Sequence, residues 1–120
     1  MSYKIVYCDG DSWTSGDILN PKLKEQRIYY INDPLNDEYR LPKVWPHKLG
    51  KLIDIEIKND AVAGSSNDGI VRRVLDNTHN LLKKYKPQEI CIIIGWTSPE
   101  RKDFFFRDGS KSHWETLLPA

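Results

Sequence analysis

The sequence carries little charge imbalance: 18 Lys and Arg against 17 Asp and Glu leave a net charge of +1. No large field therefore favours nucleic acid or an anionic membrane surface. No apolar stretch approaches the length of a membrane-spanning helix. The opening Met-Ser-Tyr-Lys passes straight into a strand pattern without a signal peptide, so the expectation is a soluble, cytoplasmic protein. Cysteine is scarce. Cys8 and Cys91 each lie inside an apolar run, which fits buried reduced thiols better than a disulfide. There is no internal repeat and no low-complexity segment. No lysine directly follows Gly16, where Asp17 stands, which excludes Walker-type phosphate binding.

What is present suits one domain with one core, since the chain has 120 residues. Tyr3 to Cys8 is β-branched and aromatic with little polar alternation, the pattern of a strand covered on both faces. After Gly10–Gly16, the stretch Asp17 to Arg40 is polar and broken by Pro21, Asn32-Asp33-Pro34 and Asn36-Asp37, and reads as a long surface excursion. Trp45, Leu49 and Leu52 fall on one helical face, with Pro46 tolerable only in the first turn. Ile53, Ile55 and Ile57 alternate with Asp54, Glu56 and Lys58, which predicts a half-buried strand at a sheet edge. A turn-rich loop follows and ends in good helix caps, Asn67 among them.

The next helix is the clearest. Ile70, Val71, Val74, Leu75, Leu81, Leu82 and Tyr85 form one apolar stripe, and Pro87 closes it. Ile90–Ile94 is a continuous apolar strand, broken at Gly95. In the tail, an Asp108-Gly109 turn predicts a hairpin that sets His113 across from Phe104. Strand, helix, strand, helix, strand is the grammar of a parallel α/β sheet, whose ligands sit at the carboxyl ends of the strands. Those ends carry Gly10–Gly16, Asn59–Asn67 and Gly95–Ser98, so three loops are expected to converge on one crevice.

The first of these, Gly10-Asp11-Ser12-Trp13-Thr14-Ser15-Gly16, presents a serine hydroxyl on a tight turn at the end of a strand. The three loops together resemble the SGNH (GDSL-type) hydrolases. The resemblance implies a flavodoxin-like three-layer α/β/α sandwich with strand order starting 2-1-3, and a serine esterase activity on an acyl or O-acetyl ester. By the same resemblance Ser12 is the nucleophile, in the block G-D-S-x-x-x-G, with Gly10, Asp11 and Gly16 shaping its turn. Gly64 matches the second block, so the Ser12 and Gly64 N–H groups would hold the oxyanion. Gly95-Trp96-Thr97-Ser98 stands where the third block, G-x-N-D, belongs. Thr97 replaces its Asn, leaving Thr97 or Asn67 as a further donor. The Ala-Val-Ala-Gly-Ser-Ser-Asn and Gly-Trp-Thr-Ser-Pro-Glu-Arg segments are similar to a divergent subgroup of phage and marine metagenomic sequences, which adds a phage or virion origin to the expectations. The implied partner is a small-molecule ester or an acylated carbohydrate, with no cofactor, no metal and no nucleic acid. Trp13 and Trp96, and with them Trp45, are candidates to line the acyl or sugar site, core packing being the alternative.

The family's last block, D-x-x-H, supplies the general base, and nothing after Gly95 matches it. Asp76-Asn77-Thr78-His79 has the spacing but falls in the middle helix, where it reads as a solvated or interfacial helix pair. His113 is the only histidine after the third block, and is either a stand-in base or a hairpin residue. His47 reads as surface. The simplest expectation is one SGNH-like domain over residues 1–120 that lacks its base-bearing C-terminal block. Such a domain leaves the outer edge of Ile90–Ile94 open to self-association or to a complementing chain.

Three rival readings stand beside the esterase. An SGNH scaffold kept for binding or assembly needs no base. Asp9-Gly10-Asp11 also looks like the start of a haloacid-dehalogenase-type phosphatase, with Asp9 as nucleophile, Asp11 as acid/base, Thr97 or Ser98 on phosphate, and Mg²⁺. A flavin- or phosphate-binding module would use Ser12, Thr14 and Ser15 instead.

Overall fold

The computed structural model describes residues 2–109 and 111–117. It is a mixed α/β fold on a three-stranded parallel sheet. The strands are β1 (Ile5–Gly10), β2 (Glu56–Asn59) and β3 (Ile90–Gly95), in the order β2-β1-β3. Ile5 lies beside Glu56 and Ile90, and Tyr7 beside Lys58 and Ile92. The central strand is apolar because both its faces are covered. Ile5 and Tyr7 pack against Leu81, Val74 and Tyr85 on one side. On the other, Ile57 shares the face of Val6 and presses on Gly50, where a Cβ would collide with it.

Helices enter where the local chemistry lets them. α1 (Ser12–Ser15) is one short turn, and α2 (Pro21–Glu25) and α3 (Asp37–Arg40) punctuate the excursion with two 3-10 turns. This excursion is pinned, not loose. Asn36 is fully buried: its amide donates to the Ile18 and Ile31 carbonyls, both at 2.8 Å, and accepts from the Asn20 N–H at 2.9 Å. Arg40, also buried, donates to the Ser15 carbonyl and so ties the excursion to the Ser12 turn. α4 (Trp45–Ile53) starts with Pro46 in its first turn and ends at Asp54 in the left-handed region, φ 53°. α5 (Asn67–Leu81) is capped by Ser66, whose hydroxyl accepts from the Gly69 N–H at 3.0 Å.

Several expectations are corrected. Ile53 closes α4 and β2 begins only at Glu56, because the chain stays helical until the left-handed turn at Asp54; Ile57 alone of the three isoleucines is in the strand. The cap of α5 is Ser66, one residue before Asn67. The seven-residue stripe is too broad for one buried face. Ile70 and Leu81 are buried, but Val71, Leu75 and Leu82 face solvent. His47 is not simply surface: its Nε2 is buried without a partner, and burial, aided by Arg40, holds its pKa below the ordinary value. It lines a recess of about 430 Å³ with Gly50, Asp54 and Ile57, away from the three loops.

β4 (Lys102–Asp108) and β5 (Lys111–Leu117) form a separate antiparallel hairpin. Asp108 pairs with Lys111, so the turn lies one residue later than Asp108-Gly109, and His113 faces Phe106 instead of Phe104. The hairpin is anchored at Asp103, which accepts from the Ser66 and Thr116 hydroxyls and from Arg72. No described helix is long and apolar enough to cross a membrane.

Candidate functional site

The site forms where β1 stops. Gly10 and Gly95 are paired neighbours at the ends of β1 and β3, and Thr14 is tucked against both, so that a Cβ on either would collide with its hydroxyl. Glycine is required there by close approach. Asp11 caps α1 by accepting from the Trp13 N–H at 3.0 Å, which leaves Ser12 at the first helical position, half-exposed. Asp11 thus shapes the turn.

The second loop is stitched to the first. Asn59 donates to the Thr14 carbonyl at 2.9 Å, and the Val62 N–H donates to the Gly10 carbonyl at 3.2 Å. Gly64 follows at φ 79°, with open space where a Cβ would stand. Among the described residues, neither the Ser12 N–H nor the Gly64 N–H finds an acceptor. The third loop is held by Asn67, whose carbonyl accepts from the Thr97 N–H at 2.8 Å and whose amide donates to the Thr97 carbonyl at 3.2 Å. Asn67 therefore fixes the Thr97 backbone from both ends of its amide and keeps one N–H of that amide unused. The Thr97 hydroxyl accepts from Arg101 at 3.0 Å and keeps its own proton to donate.

Two arginines that no sequence signal singles out organise the site. Arg101 touches one residue in each loop: Asp11 at 3.6 Å, the Ser65 carbonyl at 3.4 Å and Thr97. Arg73 grips the fully buried Asp9 through Nη2 at 2.7 Å and Nε at 3.1 Å, and also reaches the Ser65 hydroxyl at 2.9 Å. The other Asp9 oxygen accepts from the Tyr7 hydroxyl at 2.7 Å, and Tyr7 accepts from Asn77 at 3.0 Å. Burial, reinforced by Asp9, pushes the Tyr7 phenol well above its ordinary range. This network encloses Asp9 on every side, so its carboxylate is not presented for attack on a phosphate. The one sequence signal for it was an aspartate inside an otherwise apolar strand. Burial also raises Asp60, at the end of β2, above the ordinary carboxylate value, partly offset by Lys58. The neighbouring Cys8 thiol is pushed up to about 12 by burial and is inert; both cysteines are free.

A cleft of about 410 Å³ opens beside the second loop, lined by Gly64, Ser65, Arg72, Arg73, Asp103 and Trp114 among others; Ser12 and Thr97 lie outside this lining. Arg72 stacks 4.1 Å over the Trp114 ring and ties the cleft to the hairpin. His113 is not brought to the site. Strand residues alternate faces, so His113 and Phe106 point opposite to Asp103, Trp114 and Thr116, and His113 stacks on Phe106 and faces Glu115 at 3.6 Å. Trp13 and Trp96 are 87% and 57% exposed, which removes core packing as their role.

Residues 27–120 match the model of a family described as "Family of unknown function (DUF6071)". The chain belongs to this family. No curated protein and no solved structure matches it. The DUF6071 match spans the second and third loops, Arg73, Arg101 and the hairpin; the Ser12 turn precedes it.

Proposed function

We propose that this DUF6071 chain is a serine ester hydrolase of SGNH type, on a flavodoxin-like sandwich, with Ser12 as nucleophile. The observation that carries the reading is the pair of unaccepted N–H groups, Ser12 and Gly64, at the carboxyl ends of adjacent parallel strands. Two such donors suit the oxyanion of a tetrahedral intermediate. Ser12 Oγ attacks the ester carbonyl, its proton passing to a base, and the alcohol leaves with a proton. Water then releases the acid from the acyl-enzyme and regenerates Ser12. The Thr97 hydroxyl adds a third donor. Arg101 acts as a positioning residue that keeps the three loops in register. The cleft beside Gly64 receives the acyl or sugar portion of the substrate.

A second reading has its own support. Among the described residues no histidine hydrogen-bonds to any of the three loops, so a scaffold kept for binding or assembly fits equally well the side chains present. Hydrolysis of a short-chain aryl ester separates the two. Turnover that resists chelator and falls by about a thousandfold or more in Ser12→Ala supports the esterase. A folded chain without turnover leaves the binding scaffold.

A further inference from the structure

The two edges of the parallel sheet are built differently. β2 is four residues long and is set among Asp54, Glu56, Lys58 and Asp60, so shortness and charge guard it against pairing. β3 has six residues with no charge and no proline, and among the described residues it pairs with β1 alone. Beside it α5 turns a second surface outward. Val71, Leu75, Thr78 and Leu82 recur at steps of four, three and four, the spacing of a helix–helix seam. The three apolar members are 42%, 65% and 50% exposed. The row lies on the β3 side of the helix. Arg73 and Asn77, on the opposite flank of the core-facing stripe, reach Asp9 and Tyr7 of β1. Ile92, 44% exposed, shares the α5 face of the sheet because it pairs with Tyr7.

We infer that the β3 edge and this α5 row form a two-fold interface with a second copy of the chain. The occupant has to supply a strand in the sheet layer and an apolar helix in the layer above it, correctly spaced. A second copy supplies both under a single axis normal to the sheet, which sets β3 antiparallel to its counterpart and α5 antiparallel to its counterpart. Alternation limits the register, because opposed residues must share a face. A dyad at Ile92 places Ile92 against its own copy and Ile90 against Ile94. Charge agrees with this arrangement. Asp68 stands at the amino end of α5 and Lys83, Lys84 and Lys86 just beyond its carboxyl end, so antiparallel helices bring acidic end to basic end and oppose their dipoles.

Sedimentation velocity on the full chain across a concentration series tests the interface. The expected result is a species of twice the chain mass that dissociates on dilution. Ile92→Lys and Leu75→Glu each bury an unpaired charge at the seam and raise the dissociation constant by about a hundredfold or more, with unchanged far-UV circular dichroism. Asp68→Lys weakens association, and adding Lys86→Asp restores it. Ile92→Cys in a Cys91→Ala background crosslinks to a covalent dimer under mild oxidation, whereas Glu56→Cys on the guarded edge does not. A chain that stays monomeric at every concentration overturns the proposal, as does a monomer that pairs only with a different polypeptide. A dimer untouched by both Ile92→Lys and Leu75→Glu overturns it as well.

Discussion

β1 and β3 are adjacent, equally long and nearly equally apolar, yet every residue of β1 is buried and none of β3 is. The difference is positional. β1 has a strand on each side and covered faces, whereas β3 has a strand on one side and an open helix flank beside the other. A continuous apolar run therefore does not by itself tell a central strand from an edge strand: among the described residues β3 pairs with β1 alone. The fully covered strand is also the one that carries a charge, Asp9, and it tolerates that charge only through Arg73, Tyr7 and the Gly10 N–H.

The largest expected effect breaks that protection. Arg73→Met leaves Asp9 buried without its counter-charge and should cost about 3–5 kcal/mol in urea unfolding. Arg73→Met combined with Asp9→Asn should recover most of the loss, since the uncompensated charge is then gone. A small loss in the single variant would mean that water reaches Asp9 and that the end of β1 is less covered than its burial implies.

Next in size comes a direct contrast between the strands. Ile5 and Ile90 are paired partners, and Ile92 lies two residues further along β3. Ile5→Ala should destabilise by about 2–5 kcal/mol, the range for a truncated core side chain. Ile92→Ala should cost under about 1 kcal/mol in dilute solution, as for an exposed position, and more at concentrations where the proposed dimer forms. Equal losses from dilute protein would show that β3 is as enclosed as β1 within a single chain.

The hairpin that continues from β3 gives a smaller, pH-dependent effect. Burial works to raise the Asp103 carboxyl, but hydrogen bonds from Ser66, Thr116 and Arg72 outweigh it and hold its pKa below the ordinary 3.8. A depressed carboxylate contributes stability that is present above its unfolded value and lost as pH falls through its folded one. Trp114 fluorescence should thus report loosening of the hairpin only below about pH 4, and Asp103→Asn should loosen it at neutral pH. A transition that persists unchanged in Asp103→Asn would move the anchor elsewhere.

Much of the sheet was legible because its signals are local. The Ile5–Cys8 and Ile90–Ile94 runs, Pro46 in a first turn and the helix up to Leu81 each follow from a few neighbouring residues. The α4–β2 boundary was not legible, because Ile53, Ile55 and Ile57 alternate as a strand does while a left-handed Asp54, set by the helix end, decides which of them pairs. The three-loop convergence was legible from topology: carboxyl ends of parallel strands meet. The residues that bind the loops together were not. Arg73 and Arg101 lie 64 and 90 positions from Asp9 and Asp11, their respective partners, and only the folded chain brings such charges together. His113 was misplaced for a related reason, since a one-residue shift in the hairpin turn changes its partner across the ladder.

The smallest stability effects are expected just past the two strands, where the contrast between them vanishes. Trp13 follows β1 and Trp96 follows β3, and both are mostly exposed despite the difference in burial behind them. Trp13→Ala and Trp96→Ala should each change stability by no more than about 0.5 kcal/mol. Two large aromatic faces held out at neighbouring strand ends, with no packing role, are then free to meet a substrate. If they do, KM for a bulky aryl ester should rise in either variant while the rate on the smallest acetyl ester holds. Unchanged kinetics on both esters would confine binding to the cleft between Gly64 and Trp114.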